Sequence, residues 1–426
     1  MDLMFDTHVA VAGGGPAGLG AAIAAGRNGV DTVLLEGHGY LGGSRTAAAV
    51  DTFYGFWTPG EDTRQVVGGV GFEIAAELIS DGRAFKRDNT YGAGPGVTYD
   101  IEYLKLLLDR LVVNAAVQTI FHTIVTSARF DGEGWELEVA SRTAGRNLAR
   151  CRYLIDATGD ATVTANAGYP VVRAAIEGEV QSLTTIFFMA GVDIDRALSV
   201  SHAERSAMIA EADLSGAYSL PRHEGSLHRT PHPGVLQANV VRIPNVDPAD
   251  PFALSRAEME GRNQAFEYLR FFRDRLAGCD NAYISALGQQ IGIRETRRIR
   301  GVYTLTEDDV VEGRLPDDTV ALCAAPIEDH LPGSDTRWRH VGGTGFYGIP
   351  FRCLIPRDST NLLVPGRSLS ATHAAQASVR NSAQAFATGE AAGMAAALAS
   401  QQHGHVAELD VTEVQKMIEK NGGILR

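Results

Sequence analysis

The residues best suited to chemistry lie near the start of the chain, in Gly13-Gly14-Gly15-Pro16-Ala17-Gly18, a G-x-G-x-x-G turn. Gly13 permits a tight turn, Gly15 removes a side chain that would keep a pyrophosphate off the backbone, and Gly18 lets the following helix pack on the preceding strand. The phosphates then sit at the positive N-terminus of that helix, where Pro16 and Ala17 lie. Glu36 follows the next apolar run, where a carboxylate can accept the hydroxyls of a ribose. The chemistry implied is the binding of a dinucleotide. A glycine-rich turn without a ligand is the alternative, and the order strand, turn, helix, strand, acid argues against it.

Such a site needs a β–α–β unit with short connections. His8–Ala12 is a short apolar run ending in glycine, as a buried parallel strand would be. Gly18–Asn28 is alanine-rich and predicts a helix closed by Gly29, and Asp31–Leu35 predicts a second strand. Asp100–Ala115 predicts a helix with Ile101, Leu104, Leu107, Leu108 and Leu111 on one face. Ile120–Phe130, Trp135–Arg142 and Ala149–Ile155 predict three strands, with a hairpin turn at Asp131–Gly134. From about residue 165 the texture changes: strands at Thr184–Met189 and Val235–Val241, a helix at Ser255–Ala277, and frequent proline and histidine between Pro221 and Pro233. After Ile349 the first texture returns, with a strand at Asn361–Val364 and a small-residue helix at Ser378–Ser400. The expected fold is α/β: a Rossmann-like dinucleotide-binding domain (parallel sheet plus β-meander) formed by residues 1–165 and 341–426, with 45–98 partly substrate-side. Residues 166–340 form a second, α+β substrate domain.

The chain has 426 residues and a net charge of −13, which disfavours a nucleic-acid surface and an anionic membrane. No uninterrupted apolar run is long enough for a membrane span. The apolar N-terminus lacks a basic flank and is broken by Gly13–Pro16, unlike a signal peptide. Cys151, Cys279, Cys323 and Cys353 show no C-x-x-C spacing and are expected as reduced thiols in a cytoplasmic protein. His223, His228 and His232 have no cysteine or acidic partner at ligand spacing, and Pro231 and Pro233 break any helix, so no metal is expected. A homo-oligomer stays open.

NAD and FAD sites share the same turn. Here a second glycine group, Gly42-Gly43-Ser44, follows Glu36 at once, as if the chain continued along a longer cofactor, so FAD is expected. With these residues the chain resembles the FAD-dependent oxidoreductase family, of the glutathione-reductase-type FAD fold and distantly akin to the fumarate reductase and succinate dehydrogenase flavoproteins. The resemblance rests on Val9–Gly43, on Tyr153–Asp160 (YLIDATGD), on Ile291–Tyr303 (IGIRETRRIRGVY) and on Tyr347–Ala397, which contains YGIPFRCLIP and NLLVPGRSLSATHAAQ. It implies that Gly159 and Asp160 lie near the adenosine. It also implies that Gly366 and Arg367 pass the ribityl and pyrophosphate, and that Ser382 and Ala383 start a helix facing the flavin pyrimidine edge. Gly43, Ser44 and Arg45 belong to the same cofactor set. The succinate dehydrogenase relatives attach FAD through a histidine after the ribose acid. Ser44 and Arg45 stand there instead, so non-covalent FAD is expected.

On the substrate side, a flavin dehydrogenation needs a base for the proton that leaves beside the reacting carbon. His373, after the Gly366-Arg367 turn, is the candidate, with a packed loop histidine as the alternative reading. Arg294, in a cluster with Arg297, Arg298 and Arg300, is the candidate anchor for an acidic substrate group, with ion pairing to Glu295 or Glu307 as the alternative. Tyr347 is a candidate hydrogen-bond donor to a substrate oxygen. The resulting expectation is a dehydrogenase or oxidase that moves a hydride between a small-molecule substrate and flavin N5, with oxygen or another carrier as electron acceptor. Two other readings stand beside it: a flavin monooxygenase or halogenase working through a C4a-hydroperoxide, and a non-catalytic flavin-binding sensor or assembly protein.

Overall fold

The structure is a computed structural model that describes residues 2–88, 92–178, 180–330 and 336–426. The strand Leu3–Ala12 lies inside a seven-stranded sheet. Thr32–Leu35 runs parallel on one side, with Val9 opposite Thr32, and Gln118–Ile120 lies parallel beyond it. Gly145–Asp156 runs parallel on the other side, with Val9 opposite Tyr153. The end of that strand carries Leu362–Leu363 in parallel, and its start carries the antiparallel meander Trp135–Ser141 and Thr123–Phe130. Val9–Ala12 and Thr32–Leu35 are buried without alternation, as parallel strands covered on both faces are.

Two helices cross over this sheet at close range because their contact is made of glycine and alanine. A Cβ on Gly20 of the Pro16–Arg27 helix would come 2.3 Å from the Phe386 carbonyl oxygen of the Ser382–Gln402 helix. One on Gly389 would come 2.0 Å from the Ala17 carbonyl, and one on Gly393 2.1 Å from that of Ala21. Any side chain at these positions would force the helices apart.

A second lobe carries an antiparallel sheet in the order Ser226–Arg229, Leu236–Asn239, Phe187–Ala190, Tyr283–Leu287. The Pro251–Arg275 helix shares its core, which extends from Leu183 to Ile291. Leu305, Val310 and Val320–Ile327 pack instead into the core of the first lobe. The second core is therefore narrower than the expected 166–340 domain. No helix among the described residues is long and apolar enough to cross a membrane.

Two expected elements are divided. The strand expected at Ile120–Phe130 breaks at Phe121-His122, where His122 takes a left-handed backbone (φ 54°). The helix expected at Ser378–Ser400 is two helices, His373–Val379 and Ser382–Gln402. Asn381 adopts an extended backbone between them, which creates a fresh helix N-terminus at Ser382.

Candidate functional site

A cavity of about 750 Å³ is lined by the glycine turn, by the start of the Ser382 helix and by the sheet of the second lobe. It has a nucleotide cradle at the first lobe and a polar inner chamber toward the second.

The three motif glycines differ in what requires them. A Cβ on Gly13 would lie 2.6 Å from the Ala157 carbonyl oxygen, and one on Gly18 only 1.8 Å from that of Gly13. Packing alone demands glycine at both. A Cβ on Gly15 would meet nothing closer than Gly43 Cα at 3.7 Å, an ordinary contact. Packing within the chain therefore does not require glycine at this position, and the cavity beside it stays open. The Pro16–Arg27 helix starts with no side-chain cap and no acidic residue in its first turn. Its leading N–H groups therefore remain open to an anion.

Glu36 is 7% exposed. Its Oε2 accepts the Gly14 N–H at 2.7 Å and its Oε1 accepts the His38 N–H at 2.8 Å. The main chain fixes the carboxylate, and Oε2 keeps a further lone pair for a ribose hydroxyl. His38 Nδ1 also lies 3.0 Å from Oε1, and the bond to Glu36 raises the His38 pKa.

Gly43, Ser44 and Arg45 line the cavity, as do Gly159 and Asp160. Arg367 also lines it, but its guanidinium is used as a clamp. It donates to the Gly159 carbonyl at 2.7 Å, to Asp160 Oδ1 at 2.6 Å and to the Ile293 carbonyl. Gly366 is not in the cavity wall. It takes a positive φ of 79° beneath Ala17, whose Cβ a side chain there would approach to 2.8 Å, and its N–H is held by Thr388. Ser382 lines the cavity with a buried Oγ that has no partner among the described residues, at a helix start with no side-chain cap. Ala383 does not: its N–H bonds to the Tyr54 carbonyl at 3.3 Å, and Ala385 takes its place in the wall. The residues fit the adenosine diphosphate half of FAD at the first helix and a flavin ring at the second.

The inner chamber departs from expectation. His373 is not part of it. Its Nε2 lies 3.2 Å from Asp329 Oδ1 and its Nδ1 2.8 Å from Glu295 Oε2. Neighbouring side chains on a strand point to opposite faces. On Ile327–Asp329, Glu328 faces the chamber and Asp329 faces His373, which puts the histidine behind that strand. Tyr347 is fully buried and shares a 2.8 Å hydrogen bond with Ser378 Oγ, so it does not reach a substrate. Burial pushes its phenol pKa well up.

Arg294 does line the chamber, donating to the Ser182 carbonyl. The rest of its cluster is spent elsewhere: Arg298 pairs with Glu295, Arg300 with Glu177, and Arg297 donates to the Asp160 carbonyl. Arg222 and Arg380 join Arg294 in the wall. Burial lowers the pKa of all three, with added repulsion from neighbouring arginines. Burial pushes Glu328 up, but His330, Arg380 and Arg294 more than reverse it and hold the carboxyl at about 2. His330 is pushed down to about 3, by burial first and then by Arg294. At neutral pH the guanidiniums therefore face an ionised Glu328 and an uncharged imidazole.

His228, weighed from the sequence only as a metal ligand, also lines the chamber. Its Nε2 lies 2.9 Å from Asp51 Oδ1, which also accepts Gln237 Nε2 at 3.3 Å and Thr52 Oγ1 at 3.1 Å. The carboxylate only accepts, so Nε2 carries a hydrogen, and in the neutral ring Nδ1 holds the lone pair. That Nδ1 is buried and has no partner among the described residues. His223 and His232 turn to other carboxylates, Asp213 and Asp100. The one sequence signal for this site was the run of histidine and proline at 221–233.

A dinucleotide-binding α/β lobe with a second lobe closing over its cofactor cleft defines the class of this protein. The chain belongs to the FAD dependent oxidoreductase family, whose model matches residues 8–418. No curated protein sequence matches the chain. Among solved structures it is similar to CabE, an aromatic hydroxylase from angucycline biosynthesis (15% identity, 70% of this chain and 54% of that one, TM-score 0.42). It is similar to BexE, studied for oxidation during BE-7585A biosynthesis (15% identity, 93% and 63%, TM-score 0.49). It is also similar to a geranylgeranyl bacteriochlorophyll reductase-like protein of Thermoplasma acidophilum (12% identity, 98% and 84%, TM-score 0.48). The chain thus spans 54% and 63% of the lengths of the first two.

Proposed function

We propose that this protein is a dehydrogenase or oxidase of small polar substrates, with non-covalent FAD in the cradle and the substrate in the inner chamber. FAD bound there would supply a two-electron acceptor for a hydride. The chain does the rest. Glu36 and the open N–H groups of Gly15 and Ala17 would hold the dinucleotide. The start of the Ser382 helix, which no side chain caps, would offer positive potential to a flavin beside it. His228, which lines the cavity with its ring fixed by Asp51, would accept the proton from the substrate O–H or N–H. The observation that carries the reading is the continuity of the cavity from the glycine turn to this histidine and the charged chamber wall.

The test is an anaerobic screen of amines, hydroxy acids and sugars against the FAD-loaded protein, read as loss of the yellow flavin absorbance. Bleaching by at least one class is expected. If no compound bleaches the flavin and a nicotinamide-driven uptake of oxygen appears instead, the protein is a monooxygenase. A flavin that no reductant bleaches would make it a sensor or assembly protein.

A further inference from the structure

The inner chamber carries more positive charge than the protein alone neutralises. Three guanidiniums, from Arg222, Arg294 and Arg380, outnumber the two carboxylates that act on them, Glu328 in the wall and Asp329 behind it, while His330 is uncharged at neutral pH. Of the other charges nearby, Arg242 pairs with Glu224, and Asp51 offsets Arg45. This excess sits inside a chain whose net charge is −13. Arg222 is 7% exposed. Uncompensated charge in such surroundings is costly, so a buried excess of one sign implies a ligand of the other.

The donors are also underused. Among the described residues, the three guanidiniums make four hydrogen bonds to protein oxygens: Arg222 to the Asn239 carbonyl and Oδ1, Arg294 to Ser182, and Arg380 to Glu328. Each guanidinium offers about five N–H donors. Arg380 stands directly before the Asn381–Ser382 helix start, so the excess lies beside the flavin end of the cavity. We propose that the inner chamber is a carboxylate site: the substrate is an organic acid whose carboxylate is held by Arg222, Arg294 and Arg380. Planar guanidinium forks match a planar carboxylate, and the resident Asp51, Glu224 and Glu328 disfavour a more highly charged phosphate. This deepens the dehydrogenase reading and rests on it for the word substrate, but not for binding.

Calorimetry on the FAD-loaded protein tests it, with L-lactate, succinate and benzoate each titrated against its neutral amide, and with inorganic phosphate. At least one carboxylate should bind tenfold or more tightly than its amide. Arg294→Met should remove that preference, while Arg294→Lys should restore part of it. Far-ultraviolet circular dichroism and FAD content check that each variant is folded, and the acid–amide comparison on the unaltered protein needs no variant. Equal binding of acids and amides, binding of neither, or phosphate bound more tightly than every acid would overturn the proposal. Carboxylate binding without flavin bleaching would leave this site standing and remove the dehydrogenase reading, so the two fail separately.

Discussion

His228 Nε2 and Asp51 Oδ1 lie 2.9 Å apart, and the pair joins the two lobes across the cavity. His228 comes from the outer strand of the second-lobe sheet, and Asp51 from the segment that follows the second glycine group of the first lobe. The bond is buried, with His228 9% and Asp51 1% exposed, so the lobes place the imidazole jointly.

This pair makes the first prediction. His228→Asn should lower the rate of anaerobic flavin reduction by substrate about 100-fold or more, the usual loss when a general base is removed, with FAD content unchanged. Asp51→Asn should lower it too, because an amide can present its N–H to Nε2 and favour the wrong tautomer. His373→Ala should stay within about threefold, since His373 faces Asp329 and Glu295 behind the chamber wall. A large loss in His373→Ala beside a normal His228→Asn would reverse the assignment.

The cradle glycines give a second. Gly15→Ala should fold with a melting temperature close to that of the parent apoprotein, since its Cβ meets only Gly43 Cα at 3.7 Å, and should lose most of its FAD affinity. Gly18→Ala should instead fail to fold stably, because its Cβ would collide with the Gly13 carbonyl. Flavin fluorescence titration and thermal melts distinguish the two. If Gly15→Ala binds FAD normally, the pyrophosphate does not pass there.

Attachment of the cofactor is the third. Acid precipitation should release all the yellow colour into the supernatant, because Ser44 and Arg45 follow Gly43 and the nearby His38 is engaged by Glu36. Flavin retained in the pellet would show a covalent bond.

Glu390 supplies a pH dependence. It is buried where its Oε2 accepts the Val70 N–H at 3.0 Å, and burial raises its pKa from 4.5 to about 7. The folded state therefore binds this proton more tightly than the unfolded state. The associated stability is fully present below pH 4.5 and is lost as pH rises through about 7, at a cost on the order of 3 kcal/mol at most. Glu390→Gln should remove that loss. The melting temperature of the parent, relative to this variant, should fall between pH 5 and pH 8, and parallel curves would contradict the shift.

Much of the first lobe was legible because its signals are local. The glycine turn, the acid after the second strand and the meander hairpin at Asp131–Gly134 each announce themselves within a few residues. The inner chamber was not, because it forms only when distant segments meet: Asp51, Arg222, His228, Arg294, Glu328 and Arg380 come from both lobes. Periodicity pointed to one small-residue helix at 378–400, yet Asn381 divides it, and that division places Arg380 and Ser382 in the wall. His373 looked available because it followed the Gly366-Arg367 turn. The alternation along Ile327–Asp329, which no local pattern near residue 373 reveals, puts it on the far side.

The account is tested most directly by mixing the oxidised, FAD-loaded protein anaerobically with candidate organic acids bearing a hydroxyl or amine, in the absence of any pyridine nucleotide. It predicts that one of them bleaches the flavin by two electrons and is itself recovered as the corresponding carbonyl compound or imine. Bleaching by NADH or NADPH alone, with every such acid inert, would contradict it.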